Sequence, residues 1–207
     1  MSQHAEPTSF AFHADSLKLV EKAIAKYPEG RQMSAVKTLL DIAQRQMEQD
    51  TGSAWLPRAA MDVVAACLGV APIRVYEVAT FYTMFNLEPV GKYHLQLCTT
   101  TPCWLRGSDD VVAACKKATG IKNFGETSAD GMFTLKEVEC LGACVNAPIL
   151  QVNDDYFEDM DAARTTALIE DLKAGKPLPP AGSLAGRMSS APAPGQTSLR
   201  SNPSAGE

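Results

Sequence analysis

The sequence predicts an α+β or α/β protein with a helical first half, a second half of strands and helices, and a disordered tail. Apolar residues recur at helical spacing in the first half and alternate with polar residues from about residue 93. After Gly175 the chain becomes rich in Pro, Ala, Gly and Ser, with little apolar surface to bury. The predicted domains are 1–88, helical; 89–175, strands and helices; and 176–207, a flexible tail.

Composition and charge exclude several classes of protein. The chain has 207 residues, of which 45% are hydrophobic and 21% charged, an ordinary globular composition. A formal net charge of -5 disfavours nucleic-acid binding, which requires clustered Lys and Arg. No run approaches the roughly 18 apolar residues that cross a bilayer, so direct membrane insertion is not expected. Neither a secretory signal nor an Arg-rich transit sequence is visible, which predicts a cytosol-type compartment.

Four helices are predicted in the first half from apolar residues at i, i+3, i+4 and i+7 and from Pro, Ser and Gly at their ends. They cover about 15–27, 34–51, 58–68 and 73–85. The fourth helix is apolar nearly all round, which is more than one core face requires. We therefore expect it to be either the central helix of a small bundle or a surface for a partner.

The second half begins with a period-two pattern. Residues from Tyr93 to Cys98 alternate between apolar and polar, which predicts a half-buried strand whose His94 is solvated or hydrogen-bonded. A helix over about 108–118, strands near 133–135, 149–152 and 156–157, and a final helix over 161–174 follow. The predicted order is β-α-β-β-β-α.

The spacing of four cysteines predicts a metal site. Cys98 and Cys103 form a C-x4-C pair, and Cys140 and Cys144 form a C-x3-C pair, each at the end of a predicted strand. In a chain without a secretory signal, such pairs indicate metal ligands or buried thiols rather than disulfides. Each pair can hold one iron of a 2Fe-2S cluster, but the spacing leaves structural zinc equally open. Four unligated buried thiols are the third possibility.

Cys67 and Cys115 lie in apolar surroundings and are predicted to be small core residues, with a regulatory disulfide as the alternative. Thr99, Thr100 and Thr101 either donate hydrogen bonds to cluster sulfurs or are solvated. No Gly-rich dinucleotide motif and no nucleophile with a base are recognisable, so this chain is not expected to bind a dinucleotide or to carry out acyl transfer itself.

Three segments carry a family resemblance. They are YEVATFYTMF at 76–85, LCTTTPC at 97–103 and ECLGAC at 139–144. Together they resemble the 24 kDa subunit of respiratory complex I, NADH:quinone oxidoreductase, and the similarity runs in order over about residues 10–175. Additional matching positions are 34–36, 39–44 and 55–57.

The resemblance implies a helical N-terminal domain followed by a thioredoxin-like 2Fe-2S ferredoxin domain. It implies that Cys98, Cys103, Cys140 and Cys144 bind one 2Fe-2S cluster, with no catalytic residue in this chain. The implied partners are the flavin (FMN) subunit that oxidises NADH and the rest of the peripheral arm of complex I. The chain would then lie on the cytoplasmic side of the bacterial inner membrane, peripherally, or on the matrix side if it is a processed organellar protein.

Two other functions stay open at this point. The small subunit of an NAD-linked hydrogenase or formate dehydrogenase shares the same ferredoxin module. A zinc-stabilised adaptor protein would use the four cysteines for structure alone.

Overall fold

Residues 6–192 are described by a computed structural model, in which the chain divides into two units. The first unit runs to Tyr93 and includes Thr127–Thr134, while the second covers His94–Glu126 and resumes at Leu135. The predicted domain boundaries at 88 and 175 stay a prediction. Of the predicted tail, residues 193–207 lie outside the described residues.

Within the described part of the first unit, four helices follow one another. They are α1 (Ala14–Ile24), α2 (Val36–Thr51), α3 (Arg58–Leu68) and α4 (Pro72–Phe81). A 3₁₀ turn over Gln32–Ala35 precedes α2. Gly52 ends α2 and Gly69 ends α3, each in the left-handed conformation that glycine adopts without steric cost. The predicted order of helices is therefore present, with small shifts of their ends.

The fourth helix is shorter than the 73–85 prediction. It ends at Phe81 because Tyr82 takes an extended backbone conformation, with φ -89° and ψ 109°. The chain then turns, and Phe85 enters the core of the first unit at 3% exposure. Phe81 and Met84 stay on the surface instead.

The core of the first unit follows the helical periods of its sequence. Buried side chains recur at intervals of three or four residues along α2, α3 and α4. The fully buried ones include Leu39, Leu40, Ala43, Ala60, Val64, Val75 and Ala79. Each buried leucine contributes about 2 kcal/mol of hydrophobic stabilisation.

Cys67 corrects a prediction, because its side chain is exposed rather than part of the core. The core face of α3 is occupied by Ala60, Val64 and Leu68, at intervals of four residues. Cys67 lies three residues after Val64 but turns to the solvent side of this stripe, since Leu68 fills the core position beside it.

Across residues 6–192, five strands form one sheet in the order β2-β1-β3-β4-β5. The strands are β1 (Tyr93–Cys98), β2 (Phe133–Val138), β3 (Leu150–Val152), β4 (Asp155–Glu158) and β5 (Gly182–Ser183). The helices of this half are α5 (Thr101–Leu105), α6 (Ser108–Thr119) and α7 (Ala162–Lys173). Helices α6 and α7 pack against each other. The five-residue α5 was not predicted, because one turn and a half shows no recognisable period.

Strand β1 is buried on both faces, whereas the sequence predicted a half-buried strand. It lies between β2 and β3, and β3 pairs with it in antiparallel register, Gln96 opposite Gln151. His94 is only 6% exposed, and its Nε2 atom has no hydrogen-bond partner. The predicted solvated imidazole is therefore wrong, and Nε2 lacks the alternative, a hydrogen bond. Alternation of apolar and polar residues shows that a strand has two faces but not whether both are covered.

The C-terminal segment, residues 180–191, differs from the predicted flexible tail. Strand β5 pairs in parallel with β4, the Leu184 amide donates to the Glu158 carbonyl at 3.2 Å, and the Ser183 hydroxyl donates to the Asp159 carboxylate at 2.6 Å. Arg187 forms an ion pair with Asp159 at 3.4 Å. The segment is held because β4 offers unpaired backbone groups that β5 satisfies.

No helix in the described range is long and apolar enough to cross a lipid bilayer.

Candidate metal centre

Four cysteines lie at the end of β1 and in the segments that follow β1 and β2. Cys98 is the last residue of β1, Cys103 lies in α5, and Cys140 follows β2 in a loop. Cys144 begins a 3₁₀ turn over Cys144–Asn146. Cys98 and Cys103 are each 1% exposed, whereas Cys140 is exposed and Cys144 is half-buried. We call Cys98 and Cys103 the inner pair and Cys140 and Cys144 the outer pair.

The thiols within each pair lie close together. The Cys140 and Cys144 Sγ atoms are 3.3 Å apart, and Cys98 and Cys103 are buried in one cluster, where each affects the pKa of the other. The inner pair packs with Ala147 and Ile149, and partly buried apolar residues surround this group. These are Leu141, Ala143 and Tyr156. The two pairs also interact electrostatically, Cys98 with both members of the outer pair.

Backbone amides donate hydrogen bonds to three of the sulfurs. The Leu141 amide donates to Cys98, the Gly142 amide donates to Cys140, and the Ile149 amide donates to Cys103. Gly142 has φ +81°, a conformation that strains any residue with a Cβ, so the turn favours glycine here. Amide donors directed at thiolates stabilise negative charge on sulfur, which metal ligation requires.

The two thiols of the inner pair differ in acidity. Burial raises the pKa of Cys103 to about 12, and hydrogen bonding with Cys98 adds to the rise. Burial also raises the pKa of Cys98, but hydrogen bonds from the Thr100 hydroxyl and the Leu141 amide outweigh it, so the pKa lies below its ordinary value. Metal binding requires both thiolates, so it would release the remaining protons.

The outer pair shows the same asymmetry. The Gly142 amide lowers the pKa of Cys140, and the hydrogen bond with Cys144 lowers it further. That same bond with Cys140 raises the pKa of Cys144. Each pair thus has one thiol with a lowered pKa, Cys98 in the inner pair and Cys140 in the outer pair. For Cys140 the main cause is the backbone amide of Gly142.

The chemistry of this donor set fits a two-iron cluster. Between residues 6 and 192, no three His, Cys, Asp or Glu side chains surround a position suited to a single metal ion. A 2Fe-2S cluster requires a different arrangement, because each iron takes two protein ligands and shares two sulfides with the other iron. Two cysteine pairs, each with its two thiols close together, would supply two ligands to each iron.

The three threonines after Cys98 separate in the structure. The Thr100 hydroxyl lies 3.2 Å from Cys98 Sγ. Thr99 instead donates to the Glu137 carboxylate at 2.6 Å. Thr101 begins α5. Glu137 was not among the predicted site residues, and only its place on β2, next to β1, could have indicated it.

Exposed apolar side chains flank the cysteines. Trp104 and Leu105 follow Cys103, and Val145 follows Cys144, with exposures of 56%, 70% and 67%. We call these three residues the site rim. They were not predicted as site residues, although large apolar residues directly beside candidate ligands in the sequence could have indicated them.

Comparison with protein families decides the class of the chain. The family model described as thioredoxin-like [2Fe-2S] ferredoxin matches residues 20–173. The chain belongs to this family. The predicted 2Fe-2S cofactor and thioredoxin-like fold are thereby confirmed. The match includes all four cysteines, and it ends before the C-terminal segment.

Two individual relatives support the resemblance to the complex I subunit. The E subunit of NADH-quinone oxidoreductase from Rickettsia conorii is 54% identical over 166 residues, which is 80% of this chain and 96% of the relative. NADH dehydrogenase [ubiquinone] flavoprotein 2, mitochondrial, of Dictyostelium discoideum is 50% identical over 83% of this chain and 67% of the relative. The predicted family resemblance to the complex I subunit is confirmed.

A solved structure shares the fold. An NAD+-reducing [NiFe]-hydrogenase in the H2-reduced state matches with a TM-score of 0.55 and 22% identity. The match covers 67% of this chain and 24% of the hydrogenase chain. At this identity the similarity concerns the fold alone.

Proposed function

We propose that this chain is the 2Fe-2S electron-transfer subunit of an NADH:quinone oxidoreductase. The observation that carries the proposal is the presence of two cysteine pairs, one buried and one with its sulfurs 3.3 Å apart, in a chain 54% identical to the Rickettsia conorii subunit of that enzyme, over 96% of the relative's length. The partner flavin subunit would oxidise NADH, and this chain would accept one electron from the flavin.

The ligands of the cluster are proposed to be Cys98, Cys103, Cys140 and Cys144. Support comes from the contacts within each pair and from the amide donors directed at three of the sulfurs. When bound, the cluster supplies reversible one-electron transfer. The residues of this chain hold the thiolates, shield the inner pair from water and stabilise negative charge through backbone amides.

The proposed partners are the FMN-containing subunit and the peripheral arm of complex I. Two groups of exposed apolar side chains support protein partners: the site rim and a second group on the first unit, which we call the helical surface. The helical surface consists of Ile73, Phe81, Met84 and Leu87. Attachment through such partners would keep the chain peripheral, on the cytoplasmic side of a bacterial inner membrane.

A second candidate is the corresponding module of an NAD-linked hydrogenase or formate dehydrogenase. The same fold occurs in an NAD+-reducing [NiFe]-hydrogenase, so the fold is compatible with this candidate. Purification of the native complex separates the two: quinone reductase subunits should accompany this chain, whereas a hydrogenase or formate dehydrogenase subunit would support the second candidate.

Metal analysis tests the cofactor and excludes or supports the zinc-stabilised adaptor. We expect about two irons and two labile sulfides per chain, a red-brown colour and, after reduction, an electron paramagnetic resonance signal from one unpaired spin. Stoichiometric zinc in protein purified without oxygen would overturn the proposal.

Cysteine substitutions test the ligand assignment. Replacing any one of Cys98, Cys103, Cys140 or Cys144 by Ala should lose the cluster and loosen the second unit, because ligation free energy is also folding free energy. Cys115→Ala and Cys67→Ala are the matched controls and should keep the cluster. Loss of colour from a folded control variant would show that the assignment is wrong.

Reconstitution tests the place of the chain in electron transfer. Alone, the protein should show no NADH dehydrogenase activity, and NADH should not reduce it. With the flavin subunit added, NADH should produce the reduced spectrum when the potential of the cluster permits. If NADH reduced the cluster of the isolated chain, the proposal that the NADH site lies on the partner subunit would be wrong.

A further inference from the structure

Among the three threonines after Cys98, one hydroxyl is directed at sulfur. Thr100 Oγ1 lies 3.2 Å from Cys98 Sγ, within the range of a hydrogen bond to sulfur. A metal-bound cysteine is a thiolate without a proton, so in that state the hydroxyl must be the donor. The neighbouring Thr99 hydroxyl is engaged elsewhere, with Glu137 at 2.6 Å.

Thr100 occupies a backbone position at which its hydroxyl would ordinarily bond to the helix rather than to a cysteine. Thr100 is the N-cap residue of α5, where a threonine side chain ordinarily accepts a hydrogen bond from a helix amide. Its side chain makes no such bond. Its carbonyl accepts from the Trp104 amide at 2.9 Å, which anchors the residue while the hydroxyl faces Cys98.

We propose that Thr100 is a positioning residue that raises the reduction potential of the cluster by donating its hydroxyl hydrogen bond to the Cys98 thiolate. This inference rests on the proposed function, in which the four cysteines are the ligands. Reduction adds one negative charge, and a donor to a ligand sulfur stabilises the more negative state more strongly. Loss of the donor should therefore make the potential more negative.

The test uses the full chain with its cluster and four variants. Thr100→Val keeps the shape of the side chain and removes the donor, Thr100→Ala removes it without a possible clash, and Thr100→Ser restores it. Thr99→Val is the matched control, because that hydroxyl bonds to Glu137. Redox titration followed by electron paramagnetic resonance should give a more negative midpoint potential for Thr100→Val and Thr100→Ala only.

A second measurement reports the hydrogen bond itself. In resonance Raman spectra, exchange into D2O should shift the iron–thiolate bands of the wild type and of Thr100→Ser more than those of Thr100→Val and Thr100→Ala. An unchanged potential in Thr100→Ala, or an equal shift in Thr99→Val, would overturn the role of Thr100 while leaving the cluster assignment intact. Wild-type protein without iron and labile sulfide would overturn the proposed function as well.

Discussion

At the scale of single residues, His94 shows how burial changes the response to pH. Its side chain is 6% exposed on the central strand β1. Burial, and secondarily the positive charge of Lys136, lower the pKa of His94 to about 4. The folded protein therefore keeps the imidazole neutral at pH values where the unfolded chain binds a proton.

This difference predicts an acid-sensitive stability. Between the ordinary pKa near 6.5 and the folded-state pKa of about 4, the unfolded state binds more protons, so the free energy of unfolding falls as pH decreases. We expect His94 to account for a fall of about 2 kcal/mol between pH 7 and pH 5. Urea unfolding at both pH values should show it.

The control for His94 is His94→Leu, which removes the titrating group from a buried position. The variant should lose roughly 2 kcal/mol of the pH dependence, while contributions from carboxylates remain. An identical pH dependence in wild type and variant would show that His94 does not titrate across this window.

Two cysteines outside the proposed ligands should react differently with a thiol reagent. Cys67 is exposed, whereas Cys115 is fully buried and burial raises its pKa to about 12. Iodoacetamide should label Cys67 in the native protein, slowly because burial of its sulfur also raises its pKa. Cys115 should react only after unfolding. Peptide mass spectrometry measures both sites, and native labelling of Cys115 would contradict its buried position.

At the scale of elements, β5 and the C-terminal segment anchor the edge of the sheet. Asp159, the residue after β4, accepts a hydrogen bond from Ser183 and forms an ion pair with Arg187. Its own amide donates to the Asn146 carbonyl at 2.7 Å, two residues after Cys144. Hydrogen bonds therefore link the C-terminal segment to the turn that carries an outer-pair cysteine.

Removing the C-terminal segment should lower stability. A chain that ends at residue 179 loses the β4–β5 pairing and the Asp159 contacts, so we expect a loss of about 2 kcal/mol, roughly 6 °C in Tm. The matched control ends at residue 192 and removes only residues 193–207. Thermal unfolding of the cluster-containing proteins compares them, and equal Tm values for the two truncations would contradict a stabilising segment.

At the scale of the whole molecule, the helical surface is the proposed contact with the flavin subunit. Phe81 is 78% exposed at the end of α4, where the sequence predicted an additional apolar face. A buried aromatic residue at the centre of an interface contributes about 2 kcal/mol, which corresponds to about thirty-fold in Kd. Phe81→Ser should weaken binding of the flavin subunit by that factor.

Leu19 supplies the matched control for this prediction. It is 54% exposed on α1 of the same unit but is not part of the helical surface. Leu19→Ser should leave binding unchanged, and both variants should retain iron and colour. Isothermal titration with the purified flavin subunit gives the Kd, and similar losses from both substitutions would argue against a specific contact at Phe81.

Local periodicity allowed much of the fold to be predicted from sequence. Helix α3 has the predicted limits, Arg58–Leu68, and the predicted strand at Tyr93 is present. These patterns depend on residues a few positions apart, which a sequence displays directly. The cysteine spacing likewise predicted two pairs, although spacing alone left iron and zinc open and the family resemblance was needed to favour iron.

From sequence alone, the order of α1 to α4, of β1 to β4 and of the helices α6 and α7 could be predicted, together with the two cysteine pairs and the excess of apolar surface near Phe81. The fold was needed to show that β1 is covered on both faces and buries His94, that Cys67 faces solvent, and that Thr100 rather than Thr99 contacts Cys98. The pairing of β5 with β4 likewise became visible only in the folded structure. Each of these features depends on which element covers another or which backbone edge is left unpaired, and such contacts join residues distant in sequence that no local period connects.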